Sequence, residues 1–172
     1  MKTTIALALA LICLLAVAAQ AQDVNVDWQR GNDFSKYKTY AWGESQHPIK
    51  DDMWAQRVVG LIEDQLKAKG LTKVDAGASP SVVVVYNAGV KQNESLQGYR
   101  TGGFYMGGSG SIQKVVENVG TLVVDMYDPA QKSHAWRGVA EDTLSDKSDK
   151  NIKKVENAVK KMFEKYPPKD KT

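Results

Sequence analysis

From Val24 the chain alternates: Val24, Val26 and Trp28 are apolar, while Asn25, Asp27 and Gln29 between them are polar. Period-two alternation predicts a half-buried strand, and Gly31-Asn32-Asp33 ends it. Tyr37 to Trp42 is rich in aromatics and Thr and predicts a second strand. Gly43 to Lys50 is a loop. Asp51 and Asp52 then open a helix, since acids favour the positive N-terminal end of the backbone dipole. Trp54, Val58, Leu61, Ile62 and Leu66 fall on one face of it, and Gly70 stops it. Val82 to Tyr86 is an unbroken β-branched run, which suits a strand covered on both faces or central in its sheet. Val115 to Tyr127 predicts a long strand with Leu122, Val124 and Met126 on one side. Asp128-Pro129-Ala130-Gln131 has type I turn chemistry, and Ala135 to Glu141 returns as a strand. The last helix runs from Lys147 to Tyr166 with an apolar stripe of Ile152, Val155, Val159, Met162, Phe163 and Tyr166, and Pro167-Pro168 ends it.

The expected fold class is therefore α+β: a single antiparallel β-sheet with two amphipathic helices packed on one face. Hairpins dominate the order and no regular strand–helix–strand alternation is visible. Between Gln97 and Ser111 the pattern changes. Six glycines (98, 102, 103, 107, 108 and 110) surround Tyr99, Phe104 and Tyr105. Glycine weakens strand and helix interiors alike, so this stretch is expected to be a long, exposed, flexible connection.

The first 21 residues differ from everything after them. A positive start at Met1-Lys2 precedes an apolar run from Ile5 to Ala18 and the small-x-small triplet Ala19-Gln20-Ala21. This is signal-peptide architecture, and the run is short for a bilayer span, so export is favoured over a membrane-anchor helix. Cleavage is expected after Ala21, with Ala19 as the other candidate site. Cys13, the one cysteine, lies inside the apolar run behind bulky Ile12 and reads as a small hydrophobe rather than a lipid anchor. Residues 22–172 form a single domain without cysteine, which excludes disulfides, thiolate metal sites and cysteine nucleophiles. No transmembrane segment is expected after cleavage.

Charge adds little at the level of the whole domain. Residues 22–172 carry 22 basic and 20 acidic side chains, too balanced to imply nucleic acid. The basic excess is concentrated after Lys147, on the polar side of the last helix. A solvated face is the plain account of it, and attraction to an anionic envelope surface is the functional one.

Three separated stretches are familiar in combination. They are Asp33-Phe34-Ser35-Lys36-Tyr37-Lys38-Thr39-Tyr40-Ala41-Trp42; Gly120-Thr121-Leu122-Val123-Val124-Asp125 with Ala135-Trp136-Arg137-Gly138-Val139-Ala140; and Lys165-Tyr166-Pro167-Pro168. In order and spacing they resemble the bacterial domain of unknown function 4136, found in exported envelope proteins and many lipoproteins. The resemblance covers Val24 to Pro168 and implies an envelope location and an α+β fold. It brings no catalytic residues, and this chain departs from the lipoprotein members in lacking a usable anchor cysteine.

Candidate chemistry is sparse. His47 and His134 are the only histidines, and neither sits in a ligand cluster in sequence; His134 has Asp125 as a possible neighbour across a hairpin. No nucleophile elbow, zinc-protease helix or phosphate loop is present. Neither a catalytic residue nor a cofactor is assigned. The candidate contact surface is Tyr99, Phe104 and Tyr105 in the glycine-rich stretch, with Trp136 and Arg137. For Trp136-Arg137-Gly138 the plainer reading is a core Trp, a solvent-facing Arg and a Gly that eases packing. Three functions are compatible with this sequence: a non-enzymatic envelope module that binds a protein or an anionic surface, a carrier holding a small apolar ligand between sheet and helices, and a hydrolase with an unfamiliar site. The first is expected and the second is its alternative. The third has no support among the motifs.

Overall fold

A computed structural model describes residues 22–101 and 109–169, excluding the side chains at 76, 97–101 and 109–111. Six strands, β1 (Asp23–Trp28), β2 (Thr39–Trp42), β3 (Thr72–Lys73), β4 (Val82–Thr101), β5 (Ser109–Asp128) and β6 (Ser133–Thr143), form one sheet in the order β1-β6-β5-β4-β2-β3. Helix α1 (Asp52–Ala68) joins β2 to β3, and α2 (Ser148–Glu164) closes the chain. Both start and stop as the sequence predicts. Asp51 caps α1 by accepting from the Trp54 amide at 3.0 Å, and Gly70, at φ +84°, takes the left-handed turn that ends it.

The sheet is mixed, not antiparallel. β1, β4, β5 and β6 pair antiparallel, but β2 runs parallel to β4, with Tyr40 opposite Val82, and parallel to β3. The physical cause is α1. A helix between two neighbouring strands carries the chain back to the end it started from, so the next strand lies parallel to the first. The unit was present in the sequence as Tyr37–Trp42, the Asp51 helix and Val82–Tyr86.

Even-numbered residues of β4 and β5 face the helices. Val82, Val84, Val124 and Met126 are fully buried there against Val58, Ile62 and Leu66 of α1 and Val159, Met162 and Phe163 of α2. Trp136 is buried at their centre, its ring 5.3 Å from that of Phe163 and 5.7 Å from that of Tyr166. Among the described residues the opposite sheet face carries no helix.

The flanks of the glycine-rich stretch depart from expectation, while residues 102–108, with four of its six glycines, lie outside the described residues. β4 and β5 remain in unbroken register from Val83–Tyr127 out to Thr101–Ser109. β2 leaves β4 at Val84, and β6 leaves β5 at Val119. Beyond those points the two strands continue alone as a ribbon. Glycine lowers strand propensity, but the paired backbone here still satisfies its hydrogen bonds, which the open loop of the sequence reading would leave to water.

Candidate functional site

Of the residues singled out in the sequence as a contact surface, the side chains of Trp136 and Arg137 are described, and they belong to opposite faces of the sheet. Trp136 is 1% exposed and belongs to the core. Arg137 points to the helix-free face, where its Nη2 donates to Asp125 Oδ2 at 3.0 Å and its Nε to Asp125 Oδ1. Asp125, directly opposite on β5, is buried, and Asp27 stands opposite Arg137 on β1. The guanidinium thus sits in a ladder of two carboxylates, and its pKa is raised chiefly by the Asp125 hydrogen bond. His134 Nδ1 lies 3.7 Å from Asp125 Oδ1, and its ring rests 3.9 Å from that of Tyr127. This flat cluster is already satisfied internally. Tyr99 is on β4, with its side chain outside the described residues, and Phe104 and Tyr105 lie outside them entirely. Among the described residues, no three His, Cys, Asp or Glu gather as a metal site.

The structure instead opens an apolar cleft of about 400 Å³ between sheet and helices, at the base of the ribbon. Its floor is Ala88, Val90, Gly120, Leu122 and Ala140; Trp54 and Val58 of α1 form one wall, and Val155 and Ala158 of α2 the other. The cleft exists because the core-facing residues shrink. Along β4 the inward series runs Val82, Val84, Tyr86 and then Ala88, while Gly120 and Ala140 occupy the adjoining positions on β5 and β6. With Ala158 of α2, these make four small residues from four elements, and they leave space that Leu or Phe would fill. Leu144 folds over Gly120 and marks one edge; a Cβ on Gly120 would stand 2.8 Å from Leu144 Cδ2. Trp54, on the apolar stripe of α1, lines this cleft and remains partly exposed instead of entering the core.

The rim around Lys154 is paired within itself. Lys154 is the one cation in the lining, and its Nζ donates to Asp142 Oδ1 at 2.7 Å and also to the Thr143 carbonyl. Gln22 donates to Asp142 Oδ2 at 3.2 Å and to the Lys154 carbonyl at 2.8 Å. Asn151 is engaged with the Ser145 backbone through both ends of its amide. The cleft thus offers hydrocarbon contact and no unpaired cation. Sequence reasoning offered a space for an apolar ligand between sheet and helices as its alternative but named none of the residues that form it, because no single motif encodes them. The trace the site leaves is the drop from Tyr86 to Ala88 in an otherwise bulky inward series.

A family model, domain of unknown function DUF4136, matches residues 24–168. The chain belongs to this family. The stretches that carry the resemblance in DUF4136 map onto the short 3₁₀ turn at Phe34–Lys36 with β2, onto the β5–β6 ladder, and onto the end of α2. A PDZ domain protein from Parabacteroides distasonis has the same fold, with 17% identity and a TM-score of 0.59 over 86% of this chain. This chain spans only 36% of that protein. PelC from Paraburkholderia phytofirmans, solved as a dodecamer, aligns over 81% of this chain and 94% of its own, with 11% identity and a TM-score of 0.49. No curated protein matches the chain. No helix among the described residues is long and apolar enough to cross a membrane.

Proposed function

We propose that this DUF4136 domain is an exported, non-enzymatic binding protein of the cell envelope, and that its binding site is the cleft between sheet and helices. The ligand is the hydrocarbon part of an uncharged or zwitterionic molecule. The cleft carries the reading. Its volume lies within the range of about 300–1,000 Å³ that small-molecule sites occupy, and apolar side chains with a few polar groups at the rim are their usual lining. Lys154 is spoken for by Asp142, so a carboxylate headgroup would first have to displace an existing ion pair. Residues 1–21 support export.

The test is uptake of N-phenylnaphthylamine, a neutral apolar fluorophore, with Ala158→Leu and Ala88→Phe as cavity-filling variants. Wild type is expected to bind and brighten the probe, and both variants to lose it while keeping their far-UV dichroism. Equal binding by wild type and both folded variants rejects the cleft. Native mass spectrometry of protein drawn from envelope extracts then identifies what it carries.

A further inference from the structure

The ribbon beyond the sheet presents an unusual surface. Even-numbered residues share the face that lines the core further in. Among them Val90, Leu96, Ile112 and Val116 are 67%, 74%, 76% and 46% exposed. The fifth large exposed hydrophobe among the described residues is Met53, in the first turn of α1. Four of the five therefore lie on one face of the ribbon. A two-stranded ribbon alone is marginal in water, and free edges backed by an apolar face are a surface that proteins normally cover.

We propose that the cover is a second copy of this chain, related by a two-fold axis near Val116, so that each ribbon roofs the cleft of its partner. Three observations on the ribbon select this occupant. The first is spacing. Val90 and Gly120 lie opposite each other at the cleft, Val116 lies opposite Glu94, and Ile112 lies opposite Gly98. Turning the ribbon about Val116 brings Ile112 to the level of Val90 and Gly120 of the other copy, and Leu96 to the level of its Gln92 and Asn118. The second is charge. Residues 90–96 and 112–119 carry Lys91, Glu94, Lys114 and Glu117, with no net charge. On the apolar face Glu94 and Lys114 already neutralise each other at 2.9 Å. A stretch without net charge does not repel its own copy. The third is size. At about 3.3 Å per residue and about 4.8 Å per strand, the ribbon face measures roughly 30 by 10 Å. Two such faces and two cleft margins approach the ~1,000 Å² that a specific interface needs, which places the dimer in the weak class.

The roof would turn a cleft that lies open at the base of the ribbon into a chamber closed by Ile112 of the second copy. That part rests on the cleft reading; the dimer itself does not. Sedimentation velocity of the wild type is expected to show a monomer–dimer equilibrium with a midpoint of roughly tens of micromolar. Leu96→Lys and Ile112→Lys are expected to weaken it by at least about tenfold. Val116→Cys in a Cys13→Ser background is expected to cross-link to itself on mild oxidation, while Asn93→Cys, on the other face, does not. A wild type that stays monomeric at several hundred micromolar, lysine variants that dimerise unchanged, or equal cross-linking at both positions overturns the proposal. Monomers that sediment with phosphatidylcholine vesicles overturn it in favour of lipid. N-phenylnaphthylamine separates the two readings. Leu96→Lys should bind it more weakly through loss of the roof, and unchanged binding by a monomeric Leu96→Lys refutes the roof. Ala88→Phe should lose the probe and still dimerise. A wild type that dimerises but never binds the probe defeats the cleft and leaves the dimer standing.

Discussion

Gly138→Ala isolates one contact at the centre of the core. Gly138 faces the helices on β6, and a Cβ there would lie 2.7 Å from Trp136 Cη2, 3.0 Å from Met162 Sδ and 3.1 Å from Met162 Cγ. The backbone at Gly138 is outside the left-handed region, so alanine fits it without strain. Reduced freedom of the unfolded chain would favour alanine by about 0.4–1 kcal/mol. Overpacking a rigid core costs about 1–3 kcal/mol. Overpacking should win, because an indole packed between Phe163 and Tyr166 cannot swing away, although the flexible Met162 can yield a little. The expected net loss is about 1–2 kcal/mol, or roughly 2–8 °C in melting temperature. Urea denaturation gives the free energy directly. The decisive partner is Trp136→Phe, which removes Cη2. In that background Gly138→Ala should cost at least about 1 kcal/mol less, a coupling of the size seen between touching residues. If Gly138→Ala lies within about 0.5 kcal/mol of wild type, or costs the same in both backgrounds, the steric argument is wrong.

Phe163→Ala, at a fully buried ring, should cost about 3–5 kcal/mol by the same denaturation assay. Arg137→Met removes the guanidinium from buried Asp125, and the charge left behind should cost about 1–3 kcal/mol, discounted because Arg137 is half exposed. Asp128 supplies a pH test. Burial alone would raise its pKa, but Lys36 at 2.7 Å, the Gln131 and Ala130 amides and the Tyr37 hydroxyl more than offset that and bring it down from 3.8 to about 2. A depressed carboxylate stabilises the fold above its unfolded pKa, and this contribution fades as pH falls from about 4 towards 2. Wild type and Asp128→Asn should therefore differ in urea midpoint at pH 6 and converge near pH 2; a constant gap would refute the assignment. Mass spectrometry of protein from the producing cell should find Gln22 at the N-terminus, and an intact Met1 or a lipid on Cys13 would reject export by a cleaved signal peptide.

Much of the fold was legible because one-sided burial leaves a period in the sequence. The alternation at Val24–Trp28, the stripe Val155–Val159–Met162–Phe163 and the turn at Asp128 all specify local geometry, and all three elements form. What failed was non-local. The parallel pairing of β2 depends on which neighbour a four-residue strand chooses, and Thr39–Trp42 carries no mark of that choice. The ribbon was hidden because glycine content argues for a loop, whereas cross-strand pairing overrides propensity once a long register is fixed. The cleft was hidden because absence of bulk is written one residue at a time, in Ala88, Gly120, Ala140 and Ala158, and has meaning only after four elements assemble.

The pairing of β1 has a kinetic consequence. Asp23 lies opposite Glu141 and Trp28 opposite Trp136, so the first strand of the domain docks on the last. Such distant closure is slow, because loop entropy must be lost before any contact is gained. Nor can it begin until β6 has been synthesised, although domains otherwise tend to fold from their N-terminal side as they emerge. Until then β1 and whatever precedes it trail free of the sheet. Under the proposed export through a narrow channel, the delay would be useful: the end that enters first is the end the native structure claims last.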